Sequence, residues 1–354
     1  MEDVVMLDFY KGKRVLVTGH TGFKGSWLCL MLLAAGADVT GLALDPPTTP
    51  SLFEQLALDM RSVIADVRDL DAVRGAFAQA KPEIVLHLAA QPIVRESYRD
   101  PVGTFATNVM GTVNVLECVR QSGTVRSFLN VTTDKVYHNS EWAWGYRETD
   151  PLDGFDPYSN SKSCSELVTH SYRGSFFSDG HVAISTARAG NVIGGGDYAA
   201  DRIVPDCVRA MEHGEPIAVR NPYSTRPYQH VLEPLCAYLT IARRQWEDGS
   251  VAGAYNVGPD DCDCVTTGAL CDLFVKAWGG NARWENHAEA NAPHEASFLK
   301  LDCSKLKAAF GWKPTWHIEQ AVSKTVEWTR AVADGQSPRD ISLRQIEEFM
   351  RCRA

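Results

Sequence analysis

The feature that most constrains this chain is a short apolar run that breaks on a glycine and restarts as a helix. Val15-Leu16-Val17-Thr18 has the length and character of a strand, and residues 26–36 (SWLCLMLLAAG) read as a helix. Between them Gly19, Gly22 and Gly25 form G-x-x-G-x-x-G. Residues without a Cβ permit a tight turn and let backbone N–H groups approach an anion at a helix N-terminus. Strand, glycine turn and helix in that order start a parallel βαβ unit with a dinucleotide phosphate at its first turn.

The rest of the first half keeps that rhythm. Strands are expected at 14–18, 38–44, 62–65, 84–88, 127–132 and 182–187, with helices at 25–35, 70–79, 101–122 and 157–175. Strands apolar throughout, such as IVLHLAA, suit a sheet covered on both faces. After Gly190 the chain is rich in Gly, Pro, Asn and Arg and reads as loops and short elements. A helix over 231–247 and a last strand over 253–257 follow. The fold class is therefore α/β, a doubly wound parallel Rossmann-type sheet with a smaller, discontinuous substrate-binding domain. The expected division gives residues 1–188 with 231–257 to the dinucleotide and 189–230 with 258–354 to the substrate.

Charge narrows the partners. A net charge of -9 argues against nucleic acid, which needs basic surface to neutralise phosphates. No apolar run is long enough to span a bilayer, and the first residues lack the order of a signal peptide. The ten cysteines are scattered, and Cys262, Cys264 and Cys271, the one cluster, have no histidine nearby in sequence. The expectation is reduced thiols in a cytoplasmic protein without a metal site.

Two acids are candidates for the adenosine end. Asp45 follows the second strand about twenty residues beyond Gly25, where a carboxylate binds ribose hydroxyls and repels a 2′-phosphate. Before Pro46-Pro47 it also suits a turn. Asp66, after the third strand, either reaches adenine or caps the next helix.

Tyr158 and Lys162, four residues apart in DPYSNSK, share one helix face. A lysine ammonium near a phenol favours the phenolate, which can take a hydroxyl proton while hydride leaves the same carbon. With Thr133-Asp134-Lys135 at a strand end and the glycine turn upstream, the chain resembles the extended short-chain dehydrogenase/reductases, through GHTGFKG, HLAAQ, TTDKVY and YSNSK. Longer strings, among them AAQPIVRESY, RAGNVIGGGDYAADRIVPD and RNPYSTRPYQHVLEPL, resemble the nucleotide-sugar 4,6-dehydratase branch that takes CDP-glucose.

That resemblance implies NAD, held by Gly19, Thr21, Gly22, Phe23, Lys24, Gly25, Asp45, Asp66, Val67, Ala89, Ala90, Gln91, Asn108, Tyr158 and Lys162. It implies oxidation at C4 by Tyr158 with Lys162 and Thr133, loss of water across C5–C6 with Asp134 and Lys135, and return of hydride to C6. An epimerase of this fold needs no acid–base pair for elimination, and a silent nucleotide-binding relative would be free to lose these groups. Related dehydratases carry glutamate where this chain has Lys135; the CDP-glucose branch carries lysine. Either Lys135 is neutral and takes the C5 proton, or it steadies an enolate while another group moves it. For substrate, the resemblance implies Arg95, Asn191, Arg202, Arg220, Arg226, His294 and Glu295, with Arg226 foremost as a diphosphate ligand. Glu295 suits a turn as well, and Gln91 a packing role. Trp142, Trp144 and Tyr146 would wall the sugar or join the core. Tyr198 and Tyr228 stand where tryptophan is expected. Relatives commonly form dimers or tetramers through the helices at 101–122 and 157–175.

Overall fold

The computed structural model describes residues 7–288 and 298–353. Seven strands form one sheet: β1 (Arg14–Thr18), β2 (Asp38–Ala43), β3 (Arg61–Ile64), β4 (Ile84–His87), β5 (Ser127–Thr133), β6 (Ala183–Ala189) and β7 (Ala254–Val257). Their order is β7-β6-β5-β4-β1-β2-β3, every neighbouring pair parallel. The order reverses between β1 and β4, which opens a crevice at their C-terminal ends. The Rossmann-type sheet expected from the alternating pattern is therefore present.

Side chains alternate across the pleat and so sort into two cores. Val15 and Val17 of β1 join one apolar cluster while Leu16 joins the other. The first cluster is roofed by α1 (Phe23–Ala34), the second by α2 (Leu70–Ala80), α3 (Gly111–Gln121) and α4 (Pro157–Phe176). In α4 Pro157 opens the helix and Asp156 caps it by accepting from the Ser159 N–H at 3.0 Å.

The helix expected over 101–122 is interrupted. Pro101–Phe105 is α-helical, Ala106–Met110 makes a π turn, and α3 follows. The wider turn carries Asn108, whose side chain has partners on two other segments.

From 190 onward the chain builds short strand pairs: Val192–Ile193 with Gln229–His230, Thr225–Pro227 with Cys264–Thr266, and Ile217–Val219 with Trp284–Asn286. It returns to the sheet through α5 (Leu232–Glu247) and β7. Two last helices, α6 (Ile318–Ala333) and α7 (Pro338–Arg353), bring Trp328 and Phe349 into the cluster that holds Trp27 and Leu30. None of the helices among the described residues is long and apolar enough to cross a membrane.

Candidate active site

The glycine turn is tight because it has to be. Gly19 has φ 77°, and a Cβ there would lie 2.8 Å from the Ala89 nitrogen. A Cβ on Gly25 would lie 2.1 Å from the Gly19 carbonyl oxygen. The turn thus presses against the segment after β4, which includes Ala89, Ala90 and Gln91. Thr21 Oγ1 donates to the Leu44 carbonyl at 2.9 Å and ties the turn to the end of β2. Asp45 stands exposed just beyond. At the start of α1 the N-cap Gly22 supplies no side-chain cap, and the first turn has no acid. A helix start of that kind suits a pyrophosphate. Phe23 and Lys24 follow, and Lys24 lies within electrostatic reach of Arg202, Asp134, Lys162 and Asp197. Burial, aided by Arg202 and Lys162, depresses its ammonium to about 8.

Asp66 is not a helix cap. Its carboxylate accepts from Arg68 at 2.9 and 2.6 Å, whereas Asp69 caps α2 through the Asp71 and Ala72 N–H groups. Next to it Val67 is buried, its carbonyl held by Asn114 at 2.9 Å. Gln91 and Asn108 are mutually bonded, Gln91 N–H to Asn108 Oδ1 at 2.8 Å and Asn108 Nδ2 to Gln91 O at 3.1 Å. Asn108 Nδ2 also donates to Ser161 Oγ at 2.8 Å, so the π turn fixes the β4 loop against the helix of Tyr158 and Lys162.

Thr133, Asp134 and Lys135 leave the end of β5, and Tyr158 and Lys162 face them from the first turns of α4. The Tyr158 hydroxyl is in hydrogen-bond contact with the Thr133 side chain. Thr133 Oγ1 donates to Asp134 Oδ1 at 3.0 Å. Asp134 is buried, and its Oδ2 has no hydrogen-bond partner among the described residues. Only glycine fits opposite it, since a Cβ at Gly190 would come within 2.8 Å of that oxygen. Burial raises the Asp134 pKa, against the opposing pull of Lys135, the Thr133 hydroxyl, Arg226 and Lys24. A shift in that direction favours the carboxyl as a proton donor.

The expected effect of Lys162 on Tyr158 is not what this geometry produces. Burial pushes the Tyr158 phenol up to about 12, and its opposing influences are Thr133 and Arg202 rather than Lys162. Lys162 Nζ donates to the Val131 carbonyl at 3.0 Å, and burial depresses its ammonium to about 8. Desolvation dominates both groups.

These features (glycine turn, strand-end triplet, tyrosine–lysine helix) coincide with comparisons to known proteins. Residues 16–325 match the model of a family described as GDP-mannose 4,6 dehydratase. The chain belongs to that family. A CDP-glucose 4,6-dehydratase of Salmonella typhimurium is 49% identical over 351 residues, 97% of this chain and 98% of that one. The fold is similar to Thermus thermophilus UDP-glucose 4-epimerase in complex with NAD, at TM-score 0.78 and 28% identity, covering 89% of this chain and 98% of that one. A Bacillus anthracis dTDP-glucose 4,6-dehydratase in complex with NAD superposes at TM-score 0.75 with 20% identity, covering 92% of this chain and 99% of that one, a likeness of fold.

On the opposite wall of this dehydratase-family fold, Arg226 is buried and within electrostatic reach of Asp134, and its Nη1 donates to the Thr225 carbonyl at 3.0 Å. Arg202 pairs with Asp197 at 3.0 Å and reaches Tyr158 electrostatically. Arg220 is divided between Asp201 at 2.6 Å and Asp206 at 3.0 Å, and Arg95 lies 3.8 Å from the same Asp201. Asn191 lends its carbonyl to Gln229 N–H. His294 and Glu295 lie outside the described residues. Trp142 stacks obliquely on Trp144 and Tyr146, each at 5.2 Å. Tyr228 is buried, its hydroxyl 3.0 Å from Thr267, so it belongs to a core instead of an open wall.

Sequence reasoning missed three things. Asp201 gathers Arg95 and Arg220, from opposite halves of the chain, in a left-handed conformation at φ 60°. Buried Glu166 and Arg188 sit beneath the tyrosine–lysine pair; the spacing of Glu166 four residues after Lys162 was the available signal. His317, remote in sequence, comes within 4.8 Å of Cys262 and Asp263. That carboxylate is occupied otherwise, accepting from Ile318 N–H at 2.9 Å and pairing with His317 at 2.8 Å to start α6.

Proposed function

We propose that this protein dehydrates a nucleotide-linked hexose, CDP-glucose, to the 4-keto-6-deoxy sugar with NAD as its cofactor. Asp134 carries the reading: a buried carboxyl held toward its protonated form, one residue from the hydroxyl that contacts Tyr158. A plain dehydrogenase or an epimerase has no use for an acid there; an elimination does, to protonate the departing C6 oxygen. The likeness to the Salmonella typhimurium enzyme supports CDP-glucose among the nucleotide sugars.

The glycine turn fits a dinucleotide, because a Cβ at Gly19 or Gly25 would collide with the backbone that closes the turn, and the start of α1 has neither a side-chain cap nor an acid to compete with a pyrophosphate. Gly22, Phe23 and Lys24 would hold the pyrophosphate, with Thr21 shaping the turn. Asp45 would take the adenosine ribose, Asp66 and Val67 the adenine, and Ala89, Ala90 and Gln91 the nicotinamide side, supported by Asn108. When bound, NAD supplies the acceptor for the C4 hydride and gives it back at C6.

The chain's own groups do the rest. Tyr158 takes the proton of the C4 hydroxyl, relayed by Thr133, with Thr133 and Arg202 offsetting part of the burial that opposes its phenolate and Lys162 fixed one helical turn beyond it on the Val131 carbonyl. The C4 ketone acidifies C5–H, Lys135 takes that proton, and Asp134 protonates the C6 oxygen, which leaves as water. Arg226 binds the diphosphate, and Arg202, Arg220, Arg95, Asn191, His294 and Glu295 complete the substrate's surroundings. On this reading residues 1–188 with 231–257 hold the cofactor, and 189–230 with 258–354 the sugar nucleotide. Exposed Val102, Met110 and Leu167, on the 101–121 segment and α4, would be covered in a homodimer or homotetramer. All ten cysteines are free, in keeping with a cytoplasmic protein.

Incubation with CDP-, dTDP-, UDP- and GDP-sugars tests the assignment. CDP-glucose should yield 4-keto-6-deoxy product; failure there with turnover of dTDP-glucose would overturn the nucleotide.

A further inference from the structure

The acid–base residues of this site stand on two separate supports, the strand-end segment 133–135 and helix α4. One buried ion pair joins them, its acid carried by α4 and its members hydrogen-bonded to Thr132 and Tyr137 on either side of the segment. Glu166, one turn beyond Lys162 on α4, accepts from Thr132 Oγ1 at 2.5 Å and Thr186 Oγ1 at 2.8 Å, and pairs with Arg188 Nη2 at 2.9 Å. Arg188 Nη1 donates to the Tyr137 hydroxyl at 2.8 Å and to the Glu148 carbonyl at 3.2 Å. The Tyr137 hydroxyl in turn donates to Asn256 Oδ1 at 2.6 Å. Thr132 and Tyr137 thus bracket Thr133-Asp134-Lys135, and both brackets end in the Glu166–Arg188 pair.

We propose that Glu166, Arg188 and Tyr137 are positioning residues that hold the elimination groups Asp134 and Lys135 at a fixed reach from the oxidation groups Tyr158 and Lys162, an inference that rests on the dehydratase reading above. A bifunctional site needs this more than a dehydrogenase does. One sugar must present C4 to the tyrosine and C5–C6 to the strand end without moving, and a misplacement of about 1 Å costs on the order of a hundredfold in rate. Stability is a poor explanation for the pair, since apolar residues of similar volume commonly serve as well or better. What an ion pair with fixed hydrogen-bond directions adds is geometry. The same network reaches further: Asn256 Nδ2 donates to the Tyr146 carbonyl at 2.7 Å and the Asp302 carbonyl at 3.1 Å. The aromatic loop after the triplet is therefore registered to the same pair.

Tyr137→Phe separates this from a role in folding. Its ring keeps the stacking on Tyr146 at 5.3 Å, while the links to Arg188 and Asn256 are cut. With CDP-glucose deuterated at C4, transfer of deuterium from C4 should stay within about threefold of wild type. Exchange of C5–H with solvent and kcat should fall about tenfold or more, with KM nearly unchanged. Glu166→Gln, which removes the charge and one of the two oxygens that join Thr132 to Arg188, should slow both partial reactions. A folded Tyr137→Phe enzyme with wild-type C5 exchange and kcat, or one in which both partial reactions fall equally, overturns the proposal. If wild-type protein exchanges C5–H with none of the nucleotide sugars, the dehydratase reading itself fails, whatever the variants do.

Discussion

At the scale of single residues, burial is the strongest influence on this site, and it acts on acids and bases in opposite directions. It raises Asp134 and Tyr158 and lowers Lys24 and Lys162. Each group is pushed toward its neutral form, which suits Asp134 as an acid and works against Tyr158 as a base. Tyr158→Phe keeps the ring and removes the proton acceptor, so NAD should still bind while turnover falls about 10²–10⁴-fold, as read by titration and initial rates. Lys24 offers a pH test. Its ammonium attracts a pyrophosphate only while protonated, so NAD affinity should be highest below pH 8 and decline as pH rises through about 8. In Lys24→Met that decline should flatten, measured by calorimetry across pH 6.5–9 at constant salt. Much at this scale was legible in the sequence, because glycine spacing and the Tyr158–Lys162 interval are local. The partners of Arg220 were not, since Asp201 and Asp206 are chosen by tertiary folding. The same holds for the depressed Lys162, whose surroundings come from β4, β5 and α4 together.

Elements show where local signals stop. β1 begins and ends where its apolar run does, and Asp156-Pro157 marks the start of α4. The π turn at 106–110 left no such trace, because Asn108 is rewarded by partners at Gln91 and Ser161 that periodicity cannot see. Asn108→Ala should therefore cost about 1–3 kcal/mol in denaturant unfolding, by stranding the half-buried Gln91 N–H. Glu233, in the first turn of α5, is another such case. Its buried carboxylate accepts from the Thr315 and Trp316 N–H groups at 2.8 and 2.6 Å, and burial raises its pKa to about 7. A carboxyl with a raised folded-state pKa stabilises the fold while protonated. That contribution is present at low pH and is lost as pH rises from the unfolded-state range through about 7. Glu233→Gln keeps the accepting oxygen without the charge. It should be more stable than wild type at pH 8, on the order of 2 kcal/mol, and the gap should close at pH 5, as followed by thermal melts.

Across the whole molecule the parallel central sheet follows from sequence rhythm, whereas its strand order and the joining of the halves do not. Trp27 of α1 donates to the Gly195 carbonyl at 3.0 Å, and Trp328, Ile346 and Phe349 from the last two helices pack in its cluster. One core shared this way should melt once. Trp328→Ala should cost about 3–5 kcal/mol and lower a single transition seen alike by far-UV dichroism and tryptophan fluorescence. The interleaving also sets a timetable during synthesis. β6 is buried along its whole length, yet its neighbour β7 starts at Ala254, which is 65 residues after Ala189. At about 5–20 residues per second the ribosome needs roughly 3–13 s to supply that strand. For that interval a nascent sheet carries an open apolar edge that can recruit another chain. The strand that completes the sheet is thus also the one whose lateness leaves the growing polypeptide most open to pairing with another chain.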